Sequence, residues 1–95
     1  MAYNLLYHPD VTKEDLKLIP SNIKDRIRKA IETRLAKDPV LFGQPLRQSL
    51  RGHRKLRVGD WRVIYRVESN SVMILKIGNR KEVYQEVFQR IKGQL

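Results

Sequence analysis

The stretch from Leu50 to Tyr65, LRGHRKLRVGDWRVIY, crowds Arg51, His53, Arg54, Lys55, Arg57 and Arg62 into sixteen residues. Cations at that density suit a polyanion. An arginine fork binds phosphate oxygens bidentately, and fixed positive charges repel one another until an anion covers them. One reaction such a set can drive without a metal is RNA scission. The RNA's own 2′-OH attacks the adjacent phosphate, while the protein takes the proton, stabilises charge on the phosphorane and helps the 5′-oxygen leave. Arginine suits the second task and is too basic to carry protons. A lysine whose pKa is lowered by neighbouring cations and burial suits the first, and Lys55, beside Arg54 and Arg57, fits that description. His53 is a rival base, because an imidazole titrates in the useful range without help. Tyr84 and Trp61 are rings that could stack a splayed base.

Other chemistries find less support. His8 and His53 stand alone, with no second histidine or carboxylate cluster at ligand spacing, so no metal is expected. No glycine-rich phosphate loop joins a strand to a helix, and no cofactor is expected. Ser49 and Ser71 have no partner base at an informative spacing. Paired carboxylates are missing from the basic stretch, which argues against acid/base chemistry of the glycosidase type. Cysteine is absent, which excludes thiolate nucleophiles and disulfides. Plainer roles also fit these residues. Surface cations on a strand commonly pair with carboxylates such as Asp60, Glu68 and Glu82. Trp61 suits hairpin packing, and Tyr84 falls on the apolar stripe of a helix.

The elements that must hold these groups are legible from periodicity. Lys55 and Arg57 alternate with Leu56 and Val58. From Trp61 on, Trp61, Val63, Tyr65 and Val67 point one way, and Arg62, Ile64 and Arg66 the other. Gly59-Asp60 between the runs is a two-residue turn signal of type II′, so a β-hairpin is expected over 53–58 and 61–68. Residues 2–8 read as a short strand ended by Pro9-Asp10. Thr12 looks like the N-cap of a short helix that buries Leu16 and Ile19, and Ser21 like the cap of a second helix running to Lys37. In that second helix Ile23, Ile27, Ala30, Ile31 and Leu35 form one apolar stripe. Residues 40–48 read as a loop whose apolar residues tuck under the sheet. Ser71–Ile77, SVMILKI, reads as a central strand. Val83, Tyr84, Val87, Phe88 and Ile91 share one face of a last helix over 81–91. The order is β-α-α-β-β-β-α: an α+β fold with a small, mainly antiparallel sheet, an N-terminal helix hairpin and a C-terminal helix, with the helices expected on one face of the sheet.

Ninety-five residues, 41% of them apolar, make a single domain, 1–95, with one core. Twenty Lys and Arg against ten Asp and Glu give a net charge of +10 and a pI near 10.3, which points to a nucleic-acid partner, an acidic protein partner, or both. The start, MAYNLLYHPD, lacks the pattern of a signal peptide, and no apolar run is long enough to cross a bilayer, so a cytoplasmic protein with no membrane partner is expected.

At LRGHRKLRVGDWRVIYRV, followed by ILKIGNRKEVY, the sequence resembles the RelE/ParE superfamily of toxins from toxin–antitoxin pairs. The resemblance covers nearly the whole chain in length and element order, and its RelE branch consists of small endoribonucleases that cleave mRNA in the ribosomal A site. On that resemblance Arg62 corresponds to the arginine that holds the scissile phosphate. Arg80 corresponds to the one assigned to transition-state stabilisation or leaving-group protonation. Tyr84 matches the tyrosine that orients or stacks on the RNA, and Lys55 the lysine implicated in activating the 2′-OH. Arg57 would be a neighbouring phosphate contact, with His53, Arg54, Arg66 and Lys81 as further RNA contacts. Asn79 departs from the pattern, standing where relatives often carry a histidine or another basic residue. The resemblance also implies an acidic or amphipathic antitoxin, hetero-oligomeric with the toxin, and the ribosome and mRNA as partners. A ParE-like toxin, sharing the fold but acting on DNA gyrase, and a non-toxic RNA-binding relative are the alternatives.

Overall fold

The apolar residues of the central strands face both ways, and this sets the architecture. In the computed structural model, which describes residues 2–93, β1 (Asn4–Tyr7) leads to α1 (Pro9–Lys13) and a 3-10 turn, Asp15–Leu18. Helix α2 (Ser21–Ala30) continues into a π-helical turn, Ile31–Leu35. Then come α3 (Pro39–Phe42), β2 (Gln44–Pro45), β3 (Arg54–Val58), β4 (Trp61–Glu68), β5 (Ser71–Asn79) and α4 (Val83–Lys92). The strands form one sheet in the order β1-β5-β4-β3-β2. Among the described residues only the β1–β5 pair is parallel; the others are antiparallel. The α+β class and the β-α-α-β-β-β-α order hold, with α3 and the two-residue β2 added inside the segment expected to be a loop.

The helices do not share a face. Val63, Tyr65, Val72, Ile74 and Ile77 pack with Ile27 of α2 and with Ile31 and Leu35 of the π-helical turn on one side of the sheet. Ile64 and Leu75 pack with Val83 and Val87 of α4 on the other. The one-face expectation fails because β5 is apolar on both sides. A bulge contributes to this: Ile64 pairs with Lys76 but Tyr65 with Ile74, so Leu75 is an extra residue and turns toward α4 along with Lys76.

The caps differ as well. His8, not Thr12, caps α1, its Nδ1 accepting from the Asp10 amide at 3.0 Å, while Thr12 lies within the helix. Pro20 occupies the N-cap of α2, and Ser21 is its first helical residue. Asp38 caps α3 through Oδ1, which accepts from the Leu41 amide. The apolar residues after it do not tuck away: Val40, Leu41 and Phe42 are exposed. The hairpin is as expected. Gly59 has φ +61 and Asp60 does not share the left-handed region, the type II′ pattern.

One polar cluster ties the layers together. Beyond Ile74, β1 no longer covers the edge of β5, and Asp15 takes its place: Oδ2 accepts from the Ile77 amide at 3.0 Å. The same carboxylate accepts from Lys76 Nζ at 3.1 Å and from both terminal nitrogens of Arg90 at 2.9 and 3.0 Å. Arg90 also donates to the Leu75 carbonyl, which fastens α4 to the strand beneath it. Burial pulls the Arg90 guanidinium down, but the hydrogen bonds and charge of Asp15, with Asp10 and Glu14, outweigh it and hold its pKa above the ordinary value.

Candidate active site on the basic sheet face

Side chains directly opposite one another on paired strands share a face. Lys55 pairs with Ile64, Arg57 with Arg62, and Arg62 in turn with Gly78. Ile64 belongs to the α4 side, so Lys55, Arg57 and Arg62 project from that face. Gly78 allows α4 to start close to the strand, since a Cβ there would lie 3.2 Å from Val83 Cγ2. The next residue of the helix is Tyr84, whose ring centroid lies 5.6 Å from Lys55 Nζ, a cation–π contact at the near edge of the patch. Tyr84 is half-buried against the α4 core and still available at its rim.

Arg80 joins the group at the hairpin end. Its amide donates to the Asp60 carbonyl at 2.9 Å, and its Nε lies 3.8 Å from Asp60 Oδ1 in an exposed ion pair. Such a pair is worth little and gives way readily to a phosphate. Arg62 folds back on the same turn, donating from Nη1 to the carbonyls of Gly59 and Trp61, each at 2.9 Å. It makes no further hydrogen bond or ion pair among the described residues. Arg62 and Arg80 therefore both anchor on the Gly59–Trp61 turn, at one end of the sheet. Arg57 and Arg62 stand opposite each other as like charges, an arrangement that weakens the empty sheet and favours an anion between them.

The structure does not bring every expected residue to this face. Arg54 pairs with Tyr65 and so points to the α2 side, where its Nη2 donates to the carbonyls of Val40 and Gly43 at 2.9 and 3.0 Å. It is a tether for the α3 segment, not part of the Lys55 patch. Arg66 lies on the α4 face opposite Met73, four residues along β4 from Arg62, roughly 13 Å away at strand spacing. It pairs with Glu68 at 2.7 Å. His53 precedes β3 with Nδ1 3.3 Å from the Leu50 carbonyl, so that nitrogen carries the proton in the neutral ring. Its Nε2 is left as the acceptor, but it is shielded from solvent and has no partner. Lys81 is exposed just after β5, its amide donating to Asn79 Oδ1. Trp61 packs against the α2-side core, on the opposite face from Arg62, and does not serve the patch as a stacking platform.

The Asp15–Lys76–Arg90 cluster was not expected. Its members lie 61 and 75 residues from Asp15 in the chain, and Asp15 reads as an ordinary first-turn acid. Its job is structural: it holds the helix that carries Tyr84. Among the described residues no group of three or more His, Asp or Glu is placed to hold a metal ion, and no helix is long and apolar enough to cross a membrane.

Known proteins are similar in both sequence and fold. A family model described as the ParE toxin of the type II toxin–antitoxin system, parDE, matches residues 5–84. The toxin RelG of Mycobacterium tuberculosis is 31% identical over 75 residues, covering 77% of this chain and 86% of its own. In the toxin–antitoxin complex RelBE2 from Mycobacterium tuberculosis, the similar chain superposes with a TM-score of 0.78 at 27% identity, over 84% of this chain and 93% of that one. A mutant of the E. coli toxin RelE in the free state superposes with a TM-score of 0.75 over 100% of this chain and 99% of that one; at 20% identity it bears on the fold alone. The hairpin and the exit from β5 on which the resemblance rests lie within the matched span, and the chain belongs to the ParE toxin family of type II toxin–antitoxin systems, within the RelE/ParE superfamily.

Proposed function

We propose that this toxin is an mRNA endoribonuclease that works on the ribosome without a metal. The observation that carries the reading is the shared face of Lys55, Arg57 and Arg62, with Tyr84 over Lys55 and Arg80 at the same turn. Arg62 holds the scissile phosphate and Arg80 stabilises the phosphorane, both acting through charge-assisted hydrogen bonds. Lys55 takes the 2′-OH proton. Compared with His53 it is the better base, because it projects from the open face whereas His53 Nε2 is shielded. Tyr84 stacks on or orients the base beside the cut. Arg57 and Lys81 extend the phosphate contacts. A cognate antitoxin covers the cations until it is lost; a toxin–antitoxin complex, RelBE2, is among the similar structures.

The test is to induce the chain in cells and map new RNA ends. The expected result is translation arrest with cuts phased to codons. Removing one preorganised charge donor costs roughly 10²–10³ in rate, so Arg62→Ala or Arg80→Ala should each abolish measurable cutting in cells. The matching family is that of ParE, which favours a second reading: a toxin of the same fold that inhibits DNA gyrase. That reading predicts a DNA-damage response with mRNA left intact.

A further inference from the structure

On the opposite side of the β3 edge from the proposed active site, α2 carries a second set of cations. Arg26, Lys29, Thr33 and Arg34 line a cleft of about 350 Å³ against Arg57, Val58 and Gly59. Arg26, Lys29 and Thr33 recur at helical spacing along one stripe beside the apolar one. The π-helical turn starts just before Thr33 and Arg34, and both of these adjacent residues line the cleft. No carboxylate lines it, and among the described residues no carboxylate pairs with Arg26, Lys29, Arg34 or Arg57. Three unpaired helix cations in one groove, with Arg57 at the strand edge beside them, raise the free energy of the empty protein and lower it once an anion enters. Protection of an unpaired strand edge explains Arg57, since β2 covers only Arg54 and Lys55. It does not explain a matching stripe on the helix.

The cleft is continuous with the proposed active face in two places. Arg57 connects them: its side chain stands opposite Arg62 on the α4 face, and the residue borders the groove at the open edge of β3. A smaller cleft of about 220 Å³ shares Arg26, Val58 and Gly59 and runs on to Asp60 and Trp61, the turn on which Arg62 and Arg80 anchor. We infer that the α2–β3 cleft is a second polyanion site that grips the phosphate backbone of an RNA strand away from the linkage to be cut. Taking the polyanion to be RNA rests on the function proposed above. The chemistry of the cleft, alternating cations and a hydroxyl without aromatic rings, fits sugar–phosphate backbone and not bases.

The experiment measures equilibrium binding of a single-stranded, 2′-O-methylated RNA, which cannot be cut by 2′-OH attack, to the purified toxin over a range of salt. Each single-strand phosphate contact contributes about 0.7 to the slope of log K against log salt. The triple variant Arg26→Gln/Lys29→Gln/Arg34→Gln should lower that slope by about 2. A control with equal charge loss elsewhere, Lys13→Gln/Lys17→Gln/Lys92→Gln, should lower it by clearly less. An unchanged slope in the cleft variant, or an equal drop in the control, would overturn the inference. So would a cleft variant that keeps its RNA affinity and loses affinity only for an acidic protein partner. Failure of the nuclease reading is a separate result: a toxin that cuts no mRNA while its cleft variant still loses RNA affinity overturns that reading and leaves the cleft standing.

Discussion

Gly43 lies against the hydroxyl of Tyr65, which in turn donates to the Pro39 carbonyl from deep in the α2-side core. A Cβ at position 43 would overlap that hydroxyl. Gly43→Ala should therefore destabilise the fold by about 1–3 kcal/mol, read as a lower urea midpoint. Adding Tyr65→Phe removes the overlapping oxygen, so the double variant should lose less than the sum of the two singles. Burial raises the Tyr65 pKa above its ordinary 10.0, against the smaller opposing pull of the Arg54 hydrogen bond and charge. A phenol that holds its proton more tightly when folded contributes stability below pH 10 and loses it as the pH rises further. The stability gap between wild type and Tyr65→Phe should accordingly narrow above pH 10, measured by denaturant midpoints across the alkaline range. Arg57 offers the opposite case. Replacing it with threonine removes the like-charge pair with Arg62, and about 0.2–1 kcal/mol of stability should be gained while RNA affinity falls. Individual side chains were the hardest to place from sequence. The patch of Lys55, Arg57 and Arg62 follows from strand alternation alone, whereas Arg54 in the same run points the other way, and its partners at Val40 and Gly43 lie in a segment with no periodicity.

Among the elements, α4 depends most on a single remote contact. Asp15 is 1% exposed and Arg90 8%, so the pair is screened little by solvent. Asp15→Asn would leave Lys76 and Arg90 short of their counter-charge, and breaking a buried pair in this way costs about 3–5 kcal/mol. Thermal unfolding should show the loss, and amide exchange in α4 should accelerate more than exchange in β4, because Arg90 is what fastens the helix to the Leu75 carbonyl. The hairpin and the α2 helix were legible because each has a clear period and, for the hairpin, a turn dipeptide. The side on which α4 packs was not. A strand apolar on both faces, SVMILKI, carries no information about which face a helix will cover, and the bulge at Leu75 hides the alternation further. Asp15 reads as an acid that suits a helix dipole, and nothing local marks Arg90 as its partner.

For the molecule as a whole, part of the +10 charge is gathered on a sheet face and a helix groove that meet at Arg57. An antitoxin that binds only the folded toxin should raise its thermal midpoint, by about 2.7 kcal/mol of stability at a hundredfold excess over Kd. It should also abolish RNA binding if it covers either surface, which a competition titration would read directly. The fold has one further consequence, for the timing of its own assembly. The parallel pairing of Asn4–Tyr7 with Ser71–Ile74, and the bond from Arg90 back to Asp15, join early residues to late ones. During synthesis β1 must wait without a neighbour until β5 has been made, and Asp15 until Arg90 has emerged from the exit tunnel. Contacts of such long reach form slowly. Each copy thus becomes competent only once its last strand and helix are in place, and an antitoxin already made can meet it as it folds.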